Sequence, residues 1–158
     1  MKKIIFIIAS VIPLLLLSVF LYFFIAGGKH LIENFQDVSA DYELVAQFLT
    51  SSYEELKAYD PSPESGIIVV DVKGDSLECN DYCPELTDEQ KNAVLTVKKK
   101  FCYFAVYEDA VFFCTDETGY YGLVYSSHPI TALYKYGYPQ RGRHYNRLNG
   151  NWYEWGCF

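Results

Sequence analysis

The chain has 158 residues and a formal net charge of -7, with 20 acidic against 13 basic residues, and 18% of its residues are aromatic. This length suffices for one ordinary domain with a modest core. The acidic balance argues against nucleic acid and anionic lipid as partners, because both repel a negatively charged protein. The charge is uneven: residues 27–125 hold 19 acids against 7 bases, a net charge of -12, whereas residues 126–158 hold four bases against one acid.

An uncharged apolar run extends over residues 4–26 and follows two lysines. At about 1.5 Å per helical residue it is long enough to cross a hydrocarbon core of roughly 30 Å. We therefore predict a transmembrane anchor over residues 1–28 with a cytoplasmic N-terminus, and an exported domain over residues 29–158, since basic residues stay inside. The alternative is a cleaved secretory signal, although such signals have a shorter apolar core.

The next two segments have the periodicities of a helix and of a strand. Apolar residues recur at three- and four-residue steps from Phe35 to Tyr59, which predicts an amphipathic helix of about 18–22 residues. We expect this face to pack on a sheet; the alternative is a short coiled coil through residues 35–59 that forms a weak homodimer. The β-branched run over residues 66–72 predicts a strand that is buried on both faces and central in its sheet.

A second helix and a β-meander follow. Residues 87–90 have the pattern of a capping box, which predicts a helix start. From Cys102 the apolar period becomes two, with turns near Glu108 and Asp116, and this predicts three antiparallel strands. An irregular stretch and a short last strand over residues 151–155 complete the chain. The predicted fold class is α+β: a single N-terminal transmembrane helix, an amphipathic helix, a strand, a second helix and an antiparallel β-meander with a Tyr/Trp-rich C-terminal segment.

Five cysteines lie beyond the predicted anchor, where oxidation is permitted, so they are disulfide candidates. Their odd number leaves one thiol over if two bridges form, and the sequence does not choose the pairing. If the first hairpin is centred on Glu108, two of the cysteines lie opposite each other and a bridge is feasible. If the centre lies half a residue later, these two cysteines are not opposite each other. The candidates are Cys79, Cys83, Cys102, Cys114 and Cys157, of which Cys102 and Cys114 form the hairpin pair.

The residues that catalysis or metal binding requires are not grouped in the sequence. Ser126, Ser127 and His128 bring hydroxyl and imidazole together, but adjacent strand residues point to opposite faces and no nucleophile turn is present. A cysteine hydrolase would need a distant histidine such as His128 or His144, and nothing local supports one. The spacing of the first two cysteines is compatible with zinc, yet a second ligand pair is not evident. We expect no catalytic residue, no metal site, no cofactor and no enzymatic activity.

Tyrosine is frequent, with 15 residues, many of them in the C-terminal third. Tyr, Trp and Arg are the favoured anchors of protein interfaces, because they combine a large contact area with a polar tip. The alternative is that the aromatic residues cover the outer face of a thin sheet and pack the tail against it. The candidate aromatic and basic binding face comprises Tyr134, Tyr136, Tyr138, Arg141, Arg143 and Trp155.

Four segments carry a resemblance to a known group: the helix Asp41–Leu49, the strand, loop and helix from Ile67 to Phe101, the strand Gly122–Ser126 and the closing Asn151–Glu154. In this order they resemble small, uncharacterised bacterial envelope proteins that are membrane-anchored or lipoprotein-like. The five cysteines and the arginine-rich tail depart from that group. The resemblance implies a setting in the cell envelope, and it implies nothing about activity.

These patterns favour a non-enzymatic, membrane-anchored envelope protein whose exported domain binds a protein or a wall component. A narrower alternative is an immunity protein that caps an exported toxin, for which a small acidic domain is suited. A second alternative is a thiol-dependent envelope enzyme. The expected location is the cell membrane with the C-terminal domain outside, or secretion if the signal is cleaved.

Overall fold

The computed structural model describes Ser18 and residues 35–60, 66–115, 121–129 and 143–157; for Arg143, His144 and Cys157 only the backbone is described. Contacts separate residues 1–33 from residues 34–158, and every element named below belongs to the second unit. The helices are α1 (Phe35–Ser51), α2 (Tyr53–Lys57) and α3 (Asp88–Val97), and the strands are β1 (Ile68–Lys73), β2 (Ser76–Glu78), β3 (Tyr103–Val106), β4 (Ala110–Cys114), β5 (Tyr121–Ser126), β6 (Arg143–Asn149) and β7 (Trp152–Cys157).

Helices α1 and α2 form one amphipathic segment that is interrupted at Ser52. Backbone hydrogen bonds bridge the interruption, since the Ser52 N–H donates to Phe48 O and the Leu56 N–H donates to Ser52 O, both at 2.9 Å. The apolar face packs on α3 and β4. The side chains of this face are buried within the chain: Tyr42, Val45, Ala46, Leu49, Tyr53 and Leu56. The alternative of a weak homodimer through residues 35–59 stays a prediction.

Helix α3 begins at the predicted capping box. The Thr87 hydroxyl accepts from the Gln90 N–H at 3.2 Å, and the Gln90 side chain accepts from the Thr87 N–H at 2.9 Å. Two backbone amides that the helix leaves unpaired are thereby satisfied. The helix ends at Val97, so the three lysines that follow lie just beyond it.

The seven strands form one antiparallel sheet in the order β2-β1-β3-β4-β5-β7-β6. The predicted meander is confirmed as its central part, β3-β4-β5. The two edge strands, β2 and β6, were not predicted. Each is joined to its partner strand by a two-residue loop, Gly74-Asp75 and Gly150-Asn151, whose glycine has a positive φ of 67° and 54° respectively.

The central strands are apolar on both faces of the sheet. Toward the helices, the ring of Phe113 contacts the rings of Tyr42 and Phe101, with centroids 6.1 and 5.5 Å apart. On the opposite face, the ring of Phe112 contacts those of Trp155 and Tyr107 at 5.8 and 5.5 Å. The buried cluster of this second face comprises Ala105, Tyr107, Ala110, Phe112, Cys114, Val124, Tyr153 and Trp155.

Strand β1 is not the doubly buried central strand that its β-branched run predicted. It lies next to the edge strand β2, and its burial alternates along the strand. Ile68 and Val70 are buried, whereas Val69 is 52% exposed. An apolar run signals a strand but does not state whether both of its faces are covered.

The predicted fold class needs correction. The described residues form a mixed α+β domain with a seven-stranded antiparallel sheet and three helices. The predicted membrane-spanning segment, residues 4–26, lies outside the described residues except for Ser18. Within the described ranges no helix is long and apolar enough to cross a membrane. The longest, α1, has 17 residues with acidic side chains among them, whereas a span needs about 20 predominantly apolar ones.

Candidate functional site

The structure divides the predicted aromatic and basic face. Tyr134, Tyr136, Tyr138 and Arg141 lie outside the described residues, and Arg143 is the first residue of β6, with only its backbone described. Trp155 is 2% exposed and its indole N–H donates to Leu123 O at 3.0 Å. Trp155 therefore belongs to the buried second face of the sheet and not to an exposed one.

The register of the β3–β4 hairpin separates Cys102 from Cys114. Tyr103 pairs with Cys114, so the hairpin is centred half a residue later than Glu108, which is the alternative in which the cysteine pair does not form. Cys102 is exposed and donates to Thr115 O at 3.2 Å, whereas Cys114 is buried. Among the described side chains, Cys79, Cys83, Cys102 and Cys114 are thiols.

Ser126, His128 and Asp109 come together, but not as a nucleophile with its base. The Ser126 hydroxyl accepts from the His128 backbone N–H and donates to its carbonyl, both at 3.2 Å. The imidazole Nε2 of His128 lies 3.3 Å from the Asp109 carboxylate instead. The hydroxyl thus engages main-chain atoms and not the imidazole, so it has no base to activate it.

An open groove with convergent polar groups lies between the α1–α2 segment and the loop that follows β2. Its volume is about 510 Å³. Two carboxylates, two aromatic rings, a thiol and a proline line it. Its lining residues, Phe48, Glu55, Tyr82, Cys83, Pro84 and Glu85, define the Tyr82 groove.

A tight turn places Tyr82 in this groove. Cys79 and Tyr82 exchange two backbone hydrogen bonds of 2.8 and 2.9 Å, and Asn80 between them has a positive φ of 55°. Asparagine tolerates this left-handed conformation better than most residues. The Tyr82 ring then stacks on Tyr59 at the end of the helical segment, with centroids 4.1 Å apart and planes within 6°.

Tyr82 is hydrogen-bonded across the groove to Glu55. Its hydroxyl donates to the Glu55 carboxylate. This hydrogen bond, with smaller contributions from desolvation and nearby negative charge, raises the pKa of Tyr82 to about 12 from its usual 10.0. The raised pKa extends the pH range over which Tyr82 keeps its proton and donates to Glu55, and the bond holds the Glu55 side chain in place.

Cys79 lies beneath the turn and is not activated. It is 1% exposed, and its thiol donates to Leu56 O at 3.6 Å. Burial, followed by the negative charges of Asp60 and Asp71, raises its pKa above the usual value. A raised pKa keeps the sulfur as a thiol, and the thiol is a poor nucleophile and a poor metal ligand. Within the described ranges no three His, Cys, Asp or Glu side chains form a metal-binding group.

No protein-family model, curated protein or solved structure matches this chain. The class of protein is thus defined by the fold and the groove alone: a small α+β domain with an acidic, aromatic surface groove. Sequence reasoning missed this site because Tyr59 was taken as a core position of the helix, whereas it is 47% exposed. The signal that would have found it is the grouping of Tyr82 and Glu85 with Pro84 in one loop.

Proposed function

We propose that the described domain is a non-enzymatic binding module that recognises a basic segment of a partner protein, one cationic side chain of which enters the Tyr82 groove. One observation carries this proposal: the Tyr59–Tyr82 ring stack lies beside the Glu55 carboxylate in an open groove. Its volume of about 510 Å³ is within the roughly 300–1,000 Å³ of ligand pockets.

A lysine or arginine side chain is complementary to the groove in two ways. The carboxylates of Glu55 and Glu85 attract its charge, and a tyrosine ring face attracts a cation by about 0.5–2 kcal/mol, depending on how far it is desolvated. The Tyr82 hydroxyl already orients Glu55, so binding needs little ordering of that side chain.

The charge of the surrounding chain favours the same kind of partner. Residues 27–125 carry a net charge of -12, from 19 acids against 7 bases. Such a field accelerates the association of a basic partner and repels acidic ones, and the effect weakens as salt is added. An immunity protein that caps a basic toxin would be a narrower form of this proposal. The predicted location of the domain outside the cytoplasm stays a prediction, and the proposal does not depend on it.

The test is a peptide array of random ten-residue sequences probed with the purified full chain. Bound peptides should be enriched in Lys or Arg, and their affinity should fall between 50 and 300 mM salt. The double variant Glu55→Gln/Glu85→Gln should bind the best peptide about tenfold more weakly, since it removes both carboxylates of the groove.

The matched control is Glu54→Gln/Glu89→Gln, which removes the same charge from two exposed positions that do not line the groove. Its affinity should stay within about twofold of the unmodified chain, because neither side chain lines the groove and solvent screens exposed charges. Equal losses in both double variants would show that only net charge matters and would refute the groove as the binding site. An absence of Lys and Arg enrichment would refute the proposal itself.

A further inference from the structure

Both carboxylates of the Tyr82 groove are available to a cation from outside the chain. Among the described residues, neither Glu55 nor Glu85 forms an ion pair with a lysine or arginine. Lys57 is close to Glu55 in sequence, but its ammonium group lies over the Tyr53 ring, 5.6 Å from the centroid. Both glutamate side chains are exposed, so a ligand reaches them directly from solvent.

The two carboxylates lie near the same end of the Tyr82 ring. The Tyr82 hydroxyl donates to one oxygen of Glu55, which leaves the other oxygen as an acceptor for a ligand. This hydrogen bond makes the largest contribution to the raised pKa of Tyr82, and the negative charge of Glu85 adds to it. The Glu85 carboxylate is therefore within electrostatic reach of the same hydroxyl.

The aromatic part of the site is a flat surface and not a cage. The rings of Tyr59 and Tyr82 are parallel within 6° and stacked at 4.1 Å, so they offer their outer faces to a ligand. Phe48 also lines the groove, but among the described residues its ring does not contact either tyrosine. An aromatic cage for a methylated ammonium group surrounds the cation with several rings. Two rings in a parallel stack do not provide such walls.

A flat surface with acceptors at its edge distinguishes arginine from lysine. The guanidinium group is planar, weakly hydrated and able to stack on an aromatic face, whereas the lysine ammonium is a compact and strongly hydrated charge. A guanidinium stacked on the Tyr82 ring directs its N–H groups outward in its own plane, where Glu55 and Glu85 accept them. The aliphatic stem of the same side chain packs on Phe48 and Pro84, which also line the groove.

We propose that the Tyr82 groove is an arginine site, in which the guanidinium group stacks on the Tyr82 ring and donates to the carboxylates of Glu55 and Glu85. This inference rests on the proposed function, which requires a cationic side chain but does not choose between lysine and arginine. The preferred partner segment is then one that exposes an arginine, and replacement of that arginine by lysine is not conservative.

The experiment compares four acetylated pentapeptide amides, Gly-Ser-X-Ser-Gly, in which X is arginine, lysine, trimethyl-lysine or citrulline. Each is titrated into the ¹⁵N-labelled full chain, and the backbone amide resonances of Tyr82 and Glu85 report binding. The arginine peptide should bind at least about fivefold more tightly than the lysine and trimethyl-lysine peptides. Citrulline has a planar side chain without charge, so its peptide should leave both resonances unchanged.

A pair of variants at one position isolates the contribution of the ring. Tyr82→Phe and Tyr82→Leu both remove the hydroxyl and its bond to Glu55, but only Tyr82→Leu removes the aromatic face. With the Glu85 resonance as the reporter, Tyr82→Phe should keep at least about a threefold preference for arginine over lysine, and Tyr82→Leu should reduce it to less than about twofold. The control is Tyr121→Leu, which removes a tyrosine that is 45% exposed and does not line the groove, and which should leave the preference unchanged.

The outcomes separate this inference from the proposed function. Equal binding of the arginine and lysine peptides, or tighter binding of the trimethyl-lysine peptide, would overturn the arginine site and leave a cation-binding groove standing. An equal loss of preference in Tyr82→Phe and Tyr82→Leu would refute stacking on the ring. If none of the three cationic peptides shifts the Tyr82 or Glu85 resonance, both the arginine site and the proposed function fail. The peptide comparison uses the unmodified protein, so it does not depend on a variant that folds.

Discussion

Replacement of Gly122 by alanine should destabilise the domain strongly. Gly122 lies in β5 opposite Cys114, and a Cβ atom added there would lie 1.8 Å from the Phe113 carbonyl oxygen and 3.2 Å from the Trp155 indole nitrogen. Ordinary contact begins at 3.4 Å, so the two central strands would have to separate by about 1.6 Å. Overpacking of a core costs about 1–3 kcal/mol and occasionally more, and each ladder hydrogen bond that is lost adds about 1 kcal/mol.

We therefore expect Gly122→Ala to lower the free energy of unfolding by at least about 3 kcal/mol and Tm by at least about 10 °C. Circular dichroism during thermal and urea unfolding measures both. The control is Gly74→Ala, which adds the same methyl group in open space at a φ of 67° and should cost only about 1–2 kcal/mol. A loss for Gly122→Ala no larger than that of the control would refute the close approach of β4 and β5.

Three further predictions follow from single contacts. Thr87→Ala removes the capping box and should lower the free energy of unfolding by about 1 kcal/mol in urea titrations; an unchanged value would contradict the cap. Because the folded pKa of Tyr82 is raised, its bond to Glu55 stabilises the domain below pH 10 and is lost as the pH rises towards about 12. The difference in urea midpoint between the unmodified protein and Tyr82→Phe should therefore narrow between pH 8 and 11. A constant difference would contradict the raised pKa of Tyr82. In thiol labelling at pH 8 read by peptide mass spectrometry, the exposed Cys83 and Cys102 should react before the buried Cys79, and equal rates would disprove that burial.

Local signals in the sequence predicted the helices and the meander well. The box of Thr87 and Gln90 fixed the start of α3, because two reciprocal hydrogen bonds need only residues three positions apart. The helical period from Phe35 onward predicted the buried face of α1, and even the polar Ser52 coincides with the break before α2. These features depend on neighbours in the chain, and a single sequence contains them.

The hairpins at the two edges were missed although their signals are present. Gly74-Asp75 and Gly150-Asn151 are two-residue loops of the kind that joins antiparallel strands, and both glycines adopt the positive φ that such loops require. Strand β2 has only three residues, and β6 is mostly polar, with Tyr145 and Leu148 as its only large apolar residues. An edge strand lacks the apolar period on which the prediction relied.

Non-local geometry explains why the candidate sites could not be predicted. The pairing of Cys102 with Cys114 depended on half a residue of hairpin register, which the strand pattern does not contain. Trp152 and Trp155 are three positions apart in β7, so strand alternation places them on opposite faces of the sheet, and Trp152 indeed packs on Phe113 whereas Trp155 belongs to the second face. The alternation does not determine which of the two indole N–H groups finds an acceptor, and among the described residues only that of Trp155 does.

Helix α1 sets a length scale for anything that touches both ends of it. Phe35 begins the helix and Phe48 lines the Tyr82 groove, and the backbone between them is continuous α-helix. Their separation of about 20 Å along the axis therefore cannot shrink without unwinding the helix. An extended peptide that contacts both Phe35 and Phe48 would need at least about six residues between those contacts, at roughly 3.4 Å per residue. A shorter ligand could contact only one of the two rings.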